Sequence, residues 1–211
     1  MSPRPERLVV VAGTATDVGK TWAAAAAAGR LRSAGIAVAA RKPAQSFAPG
    51  TGPTDADVLA AATGERPADV CPRHRWYESP LATPMAAATL DRPPFALADL
   101  LGELAWPAGT EVGLVEGVGG PASPVADDAD TAALAAALAP DLVVLVAPAG
   151  LGAINAVRLS LRALPAPAVV LLNRYDPDDP THAANAAWLS DRDHLAVVTS
   201  IAALLPALSR R

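Results

Sequence analysis

The segment that most constrains this chain is the nine-residue stretch 13–21, which directly follows the apolar run 8–12. It reads Gly-Thr-Ala-Thr-Asp-Val-Gly-Lys-Thr and leads into the Ala-rich stretch 23–28. Backbone N–H groups of such a loop, with the positive end of the following helix, can surround a phosphate. The strict phosphate-loop pattern places a glycine six residues before Lys20, where this chain has Thr14. The Gly-Lys-Thr core in this context nevertheless predicts a phosphate-binding loop and not an ordinary glycine turn.

Short apolar runs alternate with Ala- and Leu-rich stretches along the chain. Several of these runs lack polar alternation, which is typical of strands buried on both faces of a sheet. The predicted strands are residues 8–12, 37–40, 112–115, 142–147, 169–172 and 196–199. The predicted helices are residues 21–33, 55–63, 97–104, 130–138, 154–164 and 182–189. This order predicts the α/β class, with a mostly parallel, doubly wound sheet flanked by helices.

The length of the chain, 211 residues, predicts a single domain over 1–211. Residues 43–94 carry nine prolines and no clear strand, so we expect one helix there and otherwise irregular chain. We also expect the tail to end soon after the last predicted strand.

The charge balance and the cysteine count exclude several classes of protein. A formal charge of −4 and a pI near 5.3 argue against a nucleic-acid binder, which would show a basic face. The first apolar run is too short for a signal-peptide core or a membrane span, so no membrane partner is expected. The single cysteine, Cys71, excludes an internal disulfide and a cysteine-based zinc site, and it fits a cytoplasmic location.

The chain has only two lysines, Lys20 and Lys42, among seventeen basic residues. Lys20 ends the predicted phosphate loop, and Lys42 lies in Arg-Lys-Pro just after the predicted strand 37–40. An ammonium is compact and can enter a tight ring of backbone amides, where a planar guanidinium is too wide. Two lysines kept in the segments that follow predicted strands of an arginine-rich chain therefore indicate two phosphate-binding positions.

A second glycine-rich turn follows the predicted strand 112–115. It begins with Glu116 and contains Gly119. Because neighbouring parallel strands end side by side, Glu116 could reach a Mg²⁺ ion bound by the Thr21 hydroxyl. Gly119 could let the backbone approach a phosphoryl group. The alternative is an ordinary turn with a solvated glutamate.

Asp55 and Asp57 open the predicted helix 55–63. Carboxylates in a first turn often only cap or stabilise the helix start, so capping and metal binding both stay open. Mg²⁺ prefers hard oxygen ligands from one or two carboxylates, phosphates and water. Thr21, Glu116 and one of these aspartates would suit it.

Asn173 follows the predicted strand 169–172 directly. At this position an asparagine amide could form two hydrogen bonds with the edge of a nucleobase. An Asx-type turn before the following Asp-Pro is an equally good interpretation from the sequence.

Taken together, these motifs resemble the dethiobiotin synthetases of the P-loop NTPase superfamily. The matching segments are Gly13-Thr-x-Thr-Asp-Val-Gly-Lys-Thr21, Lys42-Pro43-x-x-Ser46, Asp55, Val115-Glu-Gly-Val-Gly-Gly120, Gly152-Ala-Ile-Asn155 and Asn173. They occur in the order and spacing of that family, and the combination is much more specific than the phosphate loop alone.

The resemblance implies a role for each matching residue. The residues expected to bind ATP are Thr16, Asp17, Val18, Gly19, Lys20, Thr21, Glu116, Gly119 and Asn173. The expected Mg²⁺ ligands are Thr21, Asp55 and Glu116, with Asp55 preferred to Asp57 by its spacing from Gly64. The expected catalytic residues are Lys42, Lys20, Thr16 and Ser46. The expected substrate contacts are Ser46, Gly119 and Asn155, the last reaching across a homodimer interface.

The implied reaction is the ATP-dependent ring closure of 7,8-diaminononanoate with CO₂ to dethiobiotin, in biotin biosynthesis. One amine captures CO₂ as a carbamate, the carbamate oxygen attacks the γ-phosphate, and the second amine closes the ureido ring. The implied partners are small molecules: the diamine, CO₂ and a nucleoside triphosphate. Two lysines and Mg²⁺ would offset the repulsion between the carbamate and the phosphates.

Three alternatives to this function stay open. Regulatory ATPases of the partition or septum-site type carry an additional lysine five residues before the loop lysine, where this chain has Ala15. A related amidoligase would act on another carboxylate or amine. A degenerate nucleotide-binding subunit would not need the retained Lys20, Thr21 and Glu116.

Overall fold

The computed structural model describes residues 4–165 and 167–209. The strands, in chain order, are β1 (Arg7–Gly13), β2 (Val38–Arg41), β3 (Gln45–Ser46), β4 (Trp76–Tyr77), β5 (Val112–Glu116), β6 (Pro124–Ala126), β7 (Ala129–Asp130), β8 (Leu142–Pro148), β9 (Ala168–Asn173) and β10 (Val197–Val198). The helices are α1 (Lys20–Ser33), α2 (Asp55–Thr63), α3 (Pro67–Val70), α4 (Thr83–Thr89), α5 (Leu97–Glu103), α6 (Thr131–Leu138), α7 (Ala153–Ala163), α8 (Pro180–Ala187) and α9 (Ile201–Leu208).

Six strands form the central sheet in the order β10-β9-β8-β1-β5-β2, and every neighbouring pair is parallel. The predicted fold class is therefore confirmed. The register pairs Val11 with Glu116, Gly13 with Val146, and Pro148 with Asn173. Because the strands run in one direction, their carboxyl ends meet at one edge of the sheet, which is where ligands bind in such folds.

Strand β1 contributes side chains to both faces of the sheet, since successive residues of a strand point to opposite sides. Val9 and Val11 join a core cluster with residues of α1, α2 and α9, including the buried Leu59 and Leu204. Leu8, Val10 and Ala12 join a second cluster with Val157 of α7 and Ala135 of α6. Helices therefore cover both faces, as a doubly wound sheet requires.

The small side chains of α1 explain how this helix lies so close to the sheet. Ala23, Ala24, Ala27 and Ala28 are all buried against the strands. Alanine has the best intrinsic helix propensity and leaves the least bulk between backbones. Gly35, with a φ of +80°, follows the end of α1 and accepts the left-handed conformation there.

Two expectations about organisation are wrong. Residues 43–94 contain α3, α4 and the parallel pair β3–β4 besides the predicted helix 55–63. Buried contacts among Ala44, Tyr77, Ala86 and Phe95 stabilise β4 and α4, and Val70 of α3 packs in the cluster that contains Val9; such long-range packing gives no periodic signal in a proline-rich stretch. The tail also continues beyond β10 as α9, which packs on α1. No helix in the described part of the chain is both long and apolar enough to span a bilayer.

Candidate functional site

The loop between β1 and α1 has the shape of a phosphate cradle. Gly19, just before the helix, has a φ of +96°, and a Cβ at this position would lie 2.1 Å from Asn173 Nδ2. Gly13 is also close to its neighbours, because a Cβ there would lie 2.7 Å from Cγ2 of Val18 and 2.9 Å from Cδ of Lys20. The displaced glycine of the loop pattern thus makes room for the lysine stem. Lys20 is buried, and its Nζ donates to the Ala15 carbonyl at 2.9 Å.

A cavity of about 910 Å³ opens above this loop at the carboxyl edge of the sheet. Its lining includes the residues Thr16, Asp17, Gly19, Lys20, Thr21, Lys42, Gln45, Ser46, Asp55, Glu116, Gly119, Ser123 and Arg174. Chain segments more than a hundred residues apart in sequence therefore meet around one space. Ligand sites in proteins commonly have volumes of about 300–1,000 Å³.

Four side chains form a hydrogen-bonded cluster on the wall of this cavity. The Thr21 hydroxyl lies 2.8 Å from Asp55 Oδ1 and 2.9 Å from Glu116 Oε1. Lys42 Nζ donates to Glu116 Oε1 at 2.6 Å and to Gly117 O at 3.2 Å, and lies 2.7 Å from Asp55 Oδ2. Lys42 and Glu116 are 3% and 1% exposed, so this ion pair is essentially withdrawn from water.

The start of α2 gives its two aspartates different contacts. Thr54 and Asp57 form a reciprocal capping box, in which Asp57 Oδ2 accepts from Thr54 N at 2.9 Å. Asp55 is left to contact Thr21 and Lys42. Gln45 fixes this arrangement, because its Oε1 accepts from the Ala56 backbone at 2.9 Å. Gln45 was not predicted from the sequence, where its only signal is that a polar residue stands beside the predicted Ser46.

The donor set of the cluster fits a divalent cation. Thr21 offers a hydroxyl, and Asp55 and Glu116 offer carboxylate oxygens, which are hard ligands of the kind Mg²⁺ prefers. Glu116 Oε2 is buried and has no hydrogen-bond partner among the described residues. A buried carboxylate oxygen without a partner is costly, so a cation at this position would satisfy it.

Burial and the charges of their neighbours shift the pKa values of four groups, namely Lys20, Lys42, Asp55 and Glu116. Burial, reinforced by the Lys42 ammonium, lowers the pKa of Lys20 to about 8. Burial alone would also lower the pKa of Lys42, but Glu116 and Asp55 outweigh it and raise that pKa. Burial raises the pKa of Glu116 despite Lys42, whereas Lys42 outweighs burial at Asp55 and lowers its pKa. The buried glutamate is therefore the member of the cluster most in need of a cation.

The glycine-rich turn after β5 closes the cavity on another side. Gly119, with a φ of +55°, lies so close to Ser123 that a Cβ would meet its Oγ at 2.2 Å. The same hypothetical Cβ would lie 3.5 Å from Thr16 Oγ1, which places the turn against the phosphate loop. Ser123 Oγ accepts from Gly120 N at 2.9 Å. Ser123 was not predicted from the sequence either, although its hydrogen bond with Gly120 N holds the turn in place.

Asn173 ends β9 beside the phosphate loop. Its Nδ2 donates to the Val18 carbonyl at 2.9 Å, and Arg174 donates to the Asp17 carbonyl at 3.1 Å. Both residues line a second cavity of about 640 Å³, which shares Gly19 and Arg174 with the first. Gly19 and Arg174 therefore form part of the wall of both cavities, whereas Asn173 lines only the second.

Comparison with known proteins agrees with this geometry. A protein-family profile described as an AAA domain matches residues 7–207. The ATP-dependent dethiobiotin synthetase BioD of Anaeromyxobacter sp. (strain Fw109-5) is 40% identical over 201 residues, covering 90% of this chain and 88% of the relative. The protein of the same name in Mycobacterium sp. (strain JLS) is 40% identical over 217 residues, covering 95% and 87%. The chain belongs to the dethiobiotin synthetase family.

Solved structures similar to this dethiobiotin synthetase homologue support the P-loop fold. Chloroplast FtsY from Physcomitrella patens has a TM-score of 0.53 at 14% identity, covering 100% of this chain and 67% of that chain. A putative plasmid partition protein from Borrelia burgdorferi B31, bound to AMPPNP, has a TM-score of 0.54 at 14% identity, covering 93% and 88%. At this level of identity the similarity concerns the fold alone.

One residue expected from the dethiobiotin synthetase resemblance lies apart from the rest. Asn155 is exposed in the first turns of α7 and does not line the 910 Å³ cavity. Leu151 and Leu159, four residues away on either side, are 94% and 55% exposed. Asn185, in contrast, is buried, and its Nδ2 donates to the carbonyls of Ala149 and Gly150.

Proposed function

We propose that this protein catalyses the ATP-dependent closure of 7,8-diaminononanoate with CO₂ to dethiobiotin, as a C–N bond-forming cyclo-ligase of biotin biosynthesis. The observation that carries the proposal is the position of Lys42. A buried ammonium lies between two carboxylates at the rim of a phosphate cradle, in a chain whose relatives are named dethiobiotin synthetases. A phosphate loop alone needs no such second lysine.

In this proposal the cradle holds the nucleoside triphosphate. Thr16, Asp17, Gly19, Lys20 and Thr21 line the first cavity, and Val18 lies between Asp17 and Gly19 in the same loop. Lys20 brings its charge to the phosphates, and Gly119 brings its backbone close to the transferring group. Preorganised N–H groups and cations stabilise the charge that develops during phosphoryl transfer.

Thr21, Asp55 and Glu116 would hold Mg²⁺. The partnerless Oε2 of Glu116 and the convergence of the other two side chains support this assignment. When bound, the ion would neutralise part of the charge on the triphosphate.

Lys42, Thr16 and Ser46 would position the substrate. One substrate amine attacks CO₂ and loses a proton to give an anionic carbamate. A carbamate oxygen then attacks the γ-phosphorus and displaces ADP, forming a mixed carbamic–phosphoric anhydride. The second amine attacks the carbonyl carbon, loses a proton and expels phosphate as the ureido ring closes. Lys42 offsets the repulsion between carbamate and phosphate, and holding both amines on one rigid site supplies much of the rate.

Asn173 would contact the nucleobase. Its Nδ2 is engaged by the Val18 carbonyl, and within the described residues its Oδ1 accepts no hydrogen bond. The amide oxygen is therefore available to an exocyclic amine of a base.

A homodimer completes the proposal. Asn155 is exposed on α7 between Leu151 and Leu159, so an interface over this face would bury apolar side chains together with the amide. In that arrangement Asn155 would reach the substrate held by a second copy of the chain. A cytoplasmic location, which the lone buried Cys71 fits, belongs to the same proposal.

Phosphate release measured with diaminononanoate, bicarbonate, Mg²⁺ and ATP tests the function. We expect release only when the diamine is present, and loss of turnover in Lys42→Ala and in Lys42→Arg, whose planar fork is too wide. Nucleotide binding measured by calorimetry should persist in both variants. Arg66→Ala, which removes an exposed cation paired with Asp69, is the matched control and should retain activity. Release that is independent of the diamine would favour a regulatory ATPase, although Ala15 stands where such proteins carry a lysine.

A further inference from the structure

Trp22 is an unusually exposed tryptophan beside the phosphate loop. It follows Thr21 in the first turn of α1 and is 55% exposed. The other tryptophan rings lie under arginines, namely Trp76 under Arg73 at 3.9 Å, Trp106 under Arg41 at 4.9 Å and Trp188 under Arg192 at 5.9 Å. Within residues 4–165 and 167–209, the Trp22 ring makes no hydrogen bond, aromatic contact or cation contact.

Trp22 belongs to the lining of the 640 Å³ cavity that Asn173 also lines. Helix α1 forms one side of this cavity with Trp22, Ala26 and Arg30. The residues 199–202, at the start of α9, form another side. The end of β9 contributes Asn173 between them.

The position of the second cavity beside the phosphate cradle indicates which part of a ligand would occupy it. Gly19 and Arg174 belong to the walls of both cavities, so a ligand with phosphates in the first can extend into the second. The second cavity offers a planar aromatic side chain and an amide oxygen without a donor. A flat heterocycle carrying an amino group matches both features, because it can stack on the ring and donate to the amide.

We propose that Trp22 is the stacking platform for the nucleobase of the bound triphosphate. This inference rests on the proposed nucleotide site and adds the residue that supplies its base affinity. Trp22 contributes contact area through its ring face, while Asn173 contacts the edge of the base. Stacking of a base on an aromatic ring, measured by alanine substitution, changes affinity by about 5- to 150-fold. Every base has a stacking face, so Trp22 supports binding of all four nucleotides, and the edge contact discriminates among them.

Calorimetry with two probes separates stacking from phosphate binding. We expect Trp22→Ala to weaken Mg²⁺–ATP binding by about 5- to 150-fold, and Trp22→Phe to recover part of the loss. Binding of inorganic tripolyphosphate, which has no base, should be unchanged in both variants. Trp188→Ala is the matched control, because it removes a tryptophan that is 47% exposed and lies outside both cavities. ATP should also quench a tryptophan fluorescence component that is missing in Trp22→Phe.

Three results would contradict the proposal that Trp22 stacks on the nucleobase. The first is unchanged ATP affinity in Trp22→Ala. The second is an equal loss for ATP and tripolyphosphate, since Trp22 would then act on the loop itself. The third is full loss in Trp22→Phe. In diamine-dependent phosphate release, Trp22→Ala should raise the KM for ATP and leave kcat nearly unchanged. If the wild-type protein shows no such release, the proposed reaction fails, yet the binding comparison still tests Trp22.

Discussion

Replacing Lys42 by methionine removes the charge from the buried cluster and keeps most of the apolar stem. The ammonium lies 2.6 Å from Glu116 Oε1 and 2.7 Å from Asp55 Oδ2. The Asp55 side chain is 39% exposed, so water can solvate it after the substitution. Glu116 is 1% exposed, so water cannot solvate its carboxylate in the same way. We therefore expect the cost in stability to come from Glu116.

The size of this cost is limited by protonation. A buried carboxylate without a counter-ion costs several kcal/mol, and breaking a buried pair typically costs about 3–5 kcal/mol. Glu116 can avoid being a buried charge by taking up a proton. For an ordinary glutamate carboxyl, with a pKa of about 4.3, protonation costs about 1.4 kcal/mol for each unit by which the pH exceeds that pKa. The loss in Lys42→Met is then at most about 3.7 kcal/mol at pH 7 and about 1 kcal/mol at pH 5.

The direction of the pH dependence follows from the pKa of Glu116, which burial raises and the Lys42 ammonium lowers, so that removing Lys42 would raise this pKa further. When a carboxyl has a higher pKa in the folded protein than in the unfolded chain, its protonation stabilises the folded state. This contribution is complete below the ordinary carboxyl pKa. The contribution to the free energy of unfolding is lost as the pH rises through the pKa of the carboxyl in the folded protein. The deficit of Lys42→Met relative to the wild type should therefore grow from pH 5 to pH 7.

Urea unfolding without Mg²⁺, at pH 5 and pH 7, measures this deficit. The double variant Lys42→Met/Glu116→Gln should recover most of the lost stability at pH 7 and show little of the added pH dependence. Equal deficits of the single variant at both pH values, or no recovery in the double variant, would refute the assignment of the cost to Glu116.

Further substitutions test the remaining parts of the site. Lys20→Ala should weaken triphosphate binding by about 10- to 100-fold in calorimetry, as expected for a lost hydrogen bond to a charged group; unchanged affinity would contradict its assigned role. Asp55→Ala should raise the Mg²⁺ concentration needed for half-maximal turnover, while Asp57→Ala should leave it unchanged and cost about 1 kcal/mol of stability as a lost cap; the reverse would exchange the two roles. Gly19→Ala should lower ATP affinity and thermal stability together, because its Cβ would lie 2.1 Å from Asn173 Nδ2; wild-type values of both would show that the loop can relax.

The sequence predicted the sheet well because each central strand is an unbroken apolar run. The predicted strand 142–147 corresponds to β8, Leu142–Pro148, and the predicted strand 169–172 to β9, Ala168–Asn173. Helix ends were less accurate where a cap decides them. The predicted helix 130–138 begins at Thr131, because the Asp130 side chain accepts from Ala133 N and caps it.

Elements that depend on distant contacts escaped prediction. α4 begins at Thr83, whose hydroxyl donates to the Val125 carbonyl 42 residues away. α9 depends on packing of Leu204 and Leu208 against the face of the sheet covered by α1. A local pattern contains neither partner, so it cannot signal either helix.

Several residues of the cavity wall were predicted from the sequence, but the hydrogen bonds that connect them were not, and neither were Gln45 and Ser123. The sequence placed Lys42, Asp55 and Glu116 at strand and helix ends, and their convergence followed from the parallel sheet. The residues alone left Asp55 and Asp57 undecided, and only the family spacing favoured Asp55, because the capping box at Thr54 exists only once α2 is formed. Which aspartate faces Thr21 depends on that local hydrogen bond.

The contacts of Lys42 explain why an arginine-rich chain keeps a lysine there. An ammonium has three donors, and those of Lys42 meet Glu116 Oε1, Asp55 Oδ2 and Gly117 O. These three acceptors lie around one point, which suits a compact tetrahedral group and not a planar guanidinium. To contact a carbamate or a phosphoryl oxygen, Lys42 has to release one acceptor. A cation bound by Asp55 and Glu116 would take over those carboxylates, so metal binding itself would free the lysine for the substrate.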